Sequence, residues 1–437
     1  MPTYQPGTLG PLPRDPEQKF WDPEIQTMPR ERLADLQLSR LQELVDKVLK
    51  SPAPLFERKL REAGVERAED IASVDDVNSI PTTIKQELRD SEADEPPFGD
   101  YRFTDPRECV RLGTSTGTTG TPTIALFTRH DIWLEYESAA RVWWRNGWRP
   151  GQIVTHAHPA YLYGGGVMLS GSLEYFGALN MWVAPPDTDE LAEQGINMWR
   201  RLNPDVSMVA FNLGRFQEVA AKMGLDLRTD VGLPGFEMKG FSDRGFPMMT
   251  AGLECYAYAG GPCGVDPGGH IHEDWAIVQA LDPKTGRDVP DGEWGNLVVT
   301  TLDRDNGLLR YDLEEAITLM REPCSCGETT IRGFWGGRFK DFLDCQGKYF
   351  QVGEIERALR TVDEVTQPTL EYVVVKPTEP DAPLRLRVEL LEGDTELARG
   401  RCVAAIKEAV GVEAEVEIVE RESLARSGYK ATRLVDR

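Results

Sequence analysis

The side chains best suited to do chemistry are concentrated in one run, Arg111-Leu-Gly-Thr-Ser-Thr-Gly-Thr-Thr-Gly-Thr-Pro-Thr123. Gly113, Gly117 and Gly120 allow positive φ and close backbone approach. Thr114, Ser115, Thr116, Thr118, Thr119 and Thr121 set hydroxyls beside backbone N–H groups. A loop of that make-up can wrap the oxygens of a phosphate. It is not a Walker A loop, because no Gly-Lys-Ser/Thr follows. Gly113-Thr-Ser115-Thr-Gly117 also has the spacing of a serine-hydrolase nucleophile elbow, which needs a helix directly after the serine. Here the polar run continues to Thr121, Pro122 interrupts it, and residues 123–127 read as a strand. A hairpin-like clamp fits that order better than an elbow, and a Ser/Thr-rich surface loop is the bland alternative.

Thiols and imidazoles make a second group. Cys324-Ser-Cys326-Gly is a turn with two thiolates, Cys263 lies seven residues before His270, and His272 is close by. Four soft or borderline ligands with no vacancy would form a structural tetrahedral zinc site. Against that stands the ordinary use of cysteine as a small buried apolar residue. Cys109, Cys255, Cys345 and Cys402 are read as packing. His156 and His158 have no acidic partner nearby in sequence and read as core or loop histidines rather than metal ligands.

The elements that must position these residues alternate between strand and helix, which implies an α/β core. Helical spacing covers residues 30–49 and 54–63 and continues over 74–90, with a turn and N-cap in Ser79-Ile-Pro-Thr-Thr83. Residues 153–156, 181–184 and 207–211 are strand-like; 131–144, 191–201 and 213–223 are helix-like. The stretches 294–301 and 317–320 are β-rich. After Gly336-Gly337 a smaller unit begins, with helix at 352–362, strands at 370–376 and 384–391, helix at 396–410 and strand at 413–419. That order suits a compact α+β domain of about a hundred residues.

Composition bounds the partners. Asp+Glu number 72 against Lys+Arg 49, a formal net charge of -23, which argues against nonspecific binding to nucleic acid or anionic membrane. A locally positive pocket for an anionic small molecule is still compatible with it. The longest apolar runs fall far short of the roughly 20 residues a membrane span needs. The first residues are polar and proline-rich, with no apolar signal core, and the seven cysteines are scattered. A reducing cytoplasm is the simplest reading.

Taken with further segments in order, Thr114–Thr123 resembles the phosphate loop of the adenylate-forming, acyl-coenzyme A synthetase superfamily, and most closely its phenylacetate–coenzyme A ligase branch. Those segments are WDPEIQTMPRERLADLQLSRL near the start, then GHIHEDW, DPKTGRDVPDGEWGNLVVTTL, LRYDLEEA, GRFKDFLDCQGKYFQVGEIE and GYKATRLVD. The resemblance covers nearly the whole chain and overrules the hydrolase elbow. It implies a large multi-sheet N-terminal adenylation domain, residues 1–339, which binds ATP and a carboxylic acid. A small mobile α+β lid, residues 340–437, carries a catalytic lysine. The implied reaction joins a carboxylate, by preference aromatic, to the α-phosphate of ATP with release of pyrophosphate. Coenzyme A then displaces AMP from the acyl-adenylate. The alternatives are transfer of the acyl group to an amine, hydroxyl or carrier thiol, transfer of AMP itself, or a catalytically impaired scaffold.

By the same resemblance, Ser115, Thr116, Gly117, Thr118, Thr119 and Gly120 cradle the phosphates, Tyr256 stacks near adenine, and Phe241-Ser242 lies beside it. Glu315 takes the place of the family's ribose-binding aspartate, one methylene longer, and Arg338 contacts the nucleotide. Lys430 is the catalytic lysine, and Lys340 is the hinge about which the lid turns. The acid pocket is expected around His158, Tyr161, Tyr163 and Gly165. The zinc ligands become Cys263, His270, Cys324 and Cys326. In one respect the chain departs from the pattern: Gly260 falls where the family has a magnesium-binding glutamate, leaving Glu254, Glu273 and Asp274 as candidate carboxylates. Relatives of this kind are often dimers, and the proline-rich arm would reach a neighbour, so a homodimer is one expected state.

Overall fold

In a computed structural model, residues 15–51, 53–115, 121–159, 165–209, 213–235, 259–366, 370–379, 381–424 and 433–435 are described. The chain divides into two compact units. One comprises Met1–Val154, His158–Trp182 and Glu237–Gly336, and the other Thr155–Ala157, Val183–Phe236 and Gly337–Arg437. Among the described residues, no helix is long and apolar enough to cross a membrane.

The first unit is built on a six-stranded antiparallel sheet. Its spatial order is Gly260–Pro262, Gly269–Ile271, Arg332–Arg338, Tyr311–Met320, Gly295–Thr301 and Ala276–Leu281. Every residue of Ala276–Leu281 is buried, the polar Gln279 included, so this strand shows no alternation of buried and exposed positions. The helix Arg30–Lys50 turns Leu33, Leu41, Leu44, Val45 and Val48 inward. Leu41, Leu44, Val45 and Val48 share one core with Phe56, Leu60, Ile277, Leu297 and Val299. The helical stretch expected over 74–90 is split by Pro81. A 3-10 turn covers Val74–Ser79, and an α-helix starts only at Lys85 and runs to Asp94.

Arg129–Arg145 is the central helix of this unit. A capping box starts it: the Asp131 N–H donates to Thr128 Oγ1 at 3.1 Å, and the Thr128 N–H donates back to Asp131 Oδ2 at 3.0 Å. The strand expected at 181–184 lies two residues earlier, at Leu179–Trp182, and the one expected at 317–320 begins at Tyr311.

In the second unit, helix Asp189–Leu202 buries Trp199, whose ring lies 4.6 Å from Phe216 of helix Leu213–Lys222. The Trp199 indole N–H donates to Thr155 Oγ1 at 2.8 Å. The last hundred or so residues follow the expected α+β order. Ala414–Val419, Leu384–Glu389, Tyr372–Val375 and Leu434–Val435 form a four-stranded mixed sheet in that order. Helices Val352–Leu359 and Thr395–Val410 supply Ile355, Leu359, Cys402 and Ile406 to the same core as Leu386, Val388 and Val374. Asp394 caps the second helix by accepting from the Leu397 N–H at 2.8 Å, and Gly411 ends it with φ 71°. The helix expected over 352–362 stops at Leu359, with a separate short helix at Asp363–Thr366.

Candidate functional site

Arg111–Thr114 and Ile124–Phe127 pair antiparallel, with Thr114 opposite Ile124. The strand after Pro122 therefore returns beside the first, where an elbow would have a helix directly after the serine. Ser115 closes the neck: its N–H donates to the Thr123 carbonyl at 2.9 Å, and its hydroxyl accepts from the Thr123 N–H at 2.9 Å. With 9% exposure, Ser115 holds the loop's base and does not project from its rim. Helix Lys85–Asp94 braces the hairpin, with Arg89 donating to the Thr121 carbonyl at 2.9 Å and Glu92 accepting from the Ile124 N–H at 3.0 Å. Thr116, Gly117, Thr118, Thr119 and Gly120 lie outside the described residues, as do Tyr161, Tyr163, Phe241, Ser242, Glu254, Cys255, Tyr256 and Lys430.

Glu315 sits on Tyr311–Met320 where the register with Gly295–Thr301 shifts between Asp312 and Ala316. That irregularity, with Glu314 at φ 56°, re-aims the side chains of residues 313–315. The Trp335 indole N–H donates to Glu315 Oε2 at 2.8 Å and orients the longer carboxylate. Sequence reasoning missed Trp335; its only signal was an aromatic residue just ahead of Gly336-Gly337-Arg338. Burial raises the neighbouring Asp312 carboxyl above its ordinary range, although the Glu314 N–H and the Asn296 amide both donate to it. Arg338 is partly exposed at the end of Arg332–Arg338, and Lys340 lies in the 3-10 turn Phe339–Asp341.

Burial alone pushes the His158 imidazole down to about 4, which keeps it neutral at pH 7. Its carbonyl accepts from the Trp182 indole at 2.9 Å. Gly165 opens helix Gly165–Phe176. A Cβ at Gly166 would come 2.4 Å from the Pro159 carbonyl oxygen, so the close approach of these two residues requires glycine.

Cys263, His270, Cys324 and Cys326 converge. Their ligand atoms all lie within 4.8 Å of one another, with Cys263 Sγ 3.6 Å from Cys324 Sγ and Cys326 Sγ 3.3 Å from His270 Nε2. A tetrahedral zinc with bonds of about 2.3 Å to sulfur and about 2.1 Å to nitrogen sets such pairs about 3.8 and 3.6 Å apart. Those two pairs come within a few tenths of an ångström of that spacing, so the donor types and these distances suit zinc. His270 Nδ1 faces the Thr330 hydroxyl at 3.0 Å and the Thr330 carbonyl at 3.1 Å, which leaves Nε2 for the cluster. The Cys326 thiol, then the His270 ring, hold Cys263 far below the usual thiol range against its desolvation, while Cys263 and burial push Cys326 up. His272 is not part of the cluster: its Nδ1 meets the Ser138 hydroxyl at 2.8 Å and its Nε2 meets Arg145 at 2.7 Å.

Gly260 stands on the edge strand Gly260–Pro262, where a Cβ would lie 2.5 Å from the His270 carbonyl oxygen. No side chain, and so no carboxylate, fits at this position. Two of the substitute carboxylates are engaged elsewhere. Glu273 accepts from both Arg30 terminal nitrogens and from the Ile331 N–H at 2.7 Å. Asp274 pairs with the buried Arg141 guanidinium at 2.8 and 3.0 Å.

Residues 352–437 match the family described as the AMP-binding enzyme C-terminal domain. The chain is 32% identical to a phenylacetate–coenzyme A ligase of Thermus thermophilus, over 95% of this chain and 99% of that one. Against the Escherichia coli phenylacetate–coenzyme A ligase, identity is 27%, covering 94% and 96% of the two chains. Among solved structures, 2-hydroxyisobutyryl-CoA ligase in its postadenylation state with 2-HIB-AMP superposes with a TM-score of 0.84 at 24% identity, covering 98% of this chain and 94% of that one. The same ligase with 2-HIB-AMP and CoA in its thioesterification state gives 0.67 at 25% identity, with the same coverage.

Proposed function

The chain belongs to the phenylacetate–coenzyme A ligase family of AMP-forming acyl-coenzyme A ligases, and we propose that the acid it activates is aromatic. The substrate carboxylate oxygen attacks the α-phosphorus of ATP and pyrophosphate leaves. The sulfur of coenzyme A then attacks the acyl carbon of the adenylate and AMP leaves. The observation that carries the aromatic reading is the likeness to phenylacetate ligases over 95% of the chain. A neutral His158, beside a run with Tyr161, Tyr163 and Gly165, supports a pocket for a flat ring with one polar anchor.

No enzyme nucleophile is needed, so the protein's contribution is to position two anions and offset their repulsion. In this reading Thr116, Gly117, Thr118, Thr119 and Gly120 cradle the phosphates, with Ser115 tying the loop's neck. Glu315, held by Trp335, accepts from the ribose hydroxyls; Arg338 contacts the nucleotide and Tyr256 stacks near adenine. Lys430 brings the carboxylate to the α-phosphate, and residues 340–437 turn about Lys340 between the two half-reactions. Cys263, His270, Cys324 and Cys326 would hold a structural zinc, whose contribution is to cross-link strand Gly269–Ile271 to the 324–326 turn. The magnesium expected with ATP finds no side-chain ligand at position 260.

The test is pyrophosphate release with ATP, magnesium and a panel of phenylacetate, benzoate, hydroxy- and aminobenzoates and short aliphatic acids, each with and without coenzyme A. Turnover on an aromatic acid that requires coenzyme A is expected. Turnover confined to aliphatic acids would overturn the aromatic reading.

A further inference from the structure

The proposed catalytic lysine lies in the stretch 425–432, and the structure describes what grips the chain on either side of it. On the near side, the Glu389 carboxylate is fully buried and accepts from the backbone N–H groups of Glu422 at 3.0 Å and Leu424 at 2.8 Å. On the far side, Arg433 donates to Glu371 Oε2 at 2.9 Å, to the Tyr372 carbonyl at 3.1 Å and to the Leu370 carbonyl at 3.0 Å. Its guanidinium also lies 4.4 Å from the centre of the Tyr372 ring. Glu371 is only 4% exposed. The backbone is secured at the same point. The Val374 N–H donates to the Arg433 carbonyl at 2.7 Å, and Leu434–Val435 continues as a parallel strand beside Val374 and Val375.

We infer that Arg433, with Glu371, is a positioning residue for the adenylation half-reaction, and that Glu389 serves the same end from the other side. Lys430 precedes Arg433 by only three residues in the chain. A planar fork that spans one carboxylate and two carbonyls fixes both the place and the direction of the chain, which a single ammonium cannot do. Two buried carboxylates spent on one short stretch cost desolvation that packing alone would not need. Precise delivery of one cation is a reason to accept that cost. The inference rests on the reading of Lys430 as the adenylation lysine. It confines the effect to that half, because transfer from a finished adenylate does not use this lysine.

The test separates the two halves in the full-length protein. Adenylation is measured as pyrophosphate release from ATP and phenylacetate. Transfer is measured as thioester formed from chemically prepared phenylacetyl-adenylate and coenzyme A. Lys430→Ala should abolish the first and leave the second. Arg433→Ala should lower the first on the order of 100-fold, as expected for a displaced catalytic group, with the second unchanged. Arg433→Lys keeps the charge and the stem but loses the fork. It should therefore fold as the parent does and lose about tenfold in adenylation alone, again through misplacement. Equal losses in both halves for Arg433→Lys, with Lys430→Ala behaving as stated, would make Arg433 merely structural and overturn the inference. Full adenylation by Lys430→Ala would instead overturn the reading beneath it, and the inference with it.

Discussion

The helix Arg129–Arg145 buries Asp131, Glu135, Glu137, Ser138 and Arg141, and each charge has a distant counterpart. Arg141 meets Asp274, Glu135 meets Arg304 at 3.0 Å, Glu137 accepts from the Trp21 indole at 2.7 Å, and Arg145 pairs with the buried Glu328. The C-terminal domain is built the other way. Its core is aliphatic, and the pairs Arg385–Glu415, Arg387–Glu417 and Lys407–Glu413 are all well exposed, with Arg433–Glu371 an exception beside the lysine segment. The difference is one of purpose as well as energy. Apolar packing holds a domain together but tolerates small shifts, whereas a buried bidentate pair is satisfied in only one register. The N-terminal unit has a loop, a bulged strand and a Cys/His cluster to hold in register, and it uses buried charge for that. Among its described residues, the C-terminal domain keeps one such pair, Arg433 with Glu371.

That contrast can be broken by mutation. None of the ten tryptophans lies beyond Trp335, so indole fluorescence reports the N-terminal region without a signal from residues 337–437. The largest effect is expected for Arg141→Ala, which leaves Asp274 buried and unpaired and should lower unfolding stability by about 3–5 kcal/mol in a denaturant titration. A loss under 1 kcal/mol would show that the buried pairs are dispensable. Stripping the Cys/His cluster with a chelator comes next. At a thousandfold metal excess over Kd, bound zinc contributes about 4 kcal/mol, and metal analysis should find one zinc per chain before and none after. An unchanged indole transition with no bound metal would refute the zinc reading. Gly260→Ala forces a Cβ against the His270 carbonyl and should cost about 1–3 kcal/mol, seen as a lower unfolding midpoint. Wild-type stability in that variant would reopen position 260 to a side chain. Smallest of all is Arg385→Ala, where an exposed pair is lost and the change should stay at about 0.5 kcal/mol or less by far-UV circular dichroism.

Much of the fold was legible because its signals are local. The helix expected over 396–410 and the one found at Thr395–Val410 differ by a single residue, since helical spacing, an Asp cap and a terminal Gly all sit within one segment. The hairpin around Ser115 was legible for the same reason: Pro122 interrupts the polar run, and the short apolar stretch after it reads as a strand. The Cys/His set was visible as residue types whose clustering has few other uses. Boundaries that depend on packing were not, as at Leu359, where the helix ends earlier than its apolar pattern suggests.

The sequence by itself determined the family, the alternation of strand and helix, and that glycine, not glutamate, stands at position 260. It did not determine what surrounds these residues. Glu273 and Asp274 read as free carboxylates until the fold set them against Arg30 and Arg141. Arg433 drew no reading from the sequence, and the structure shows it spanning Glu371 and two carbonyls. The reason is physical. Secondary structure follows interactions between residues a few positions apart, which the order of the chain displays directly. The fate of a charge depends on whether a partner distant in the chain arrives before water does, and only the tertiary structure decides that.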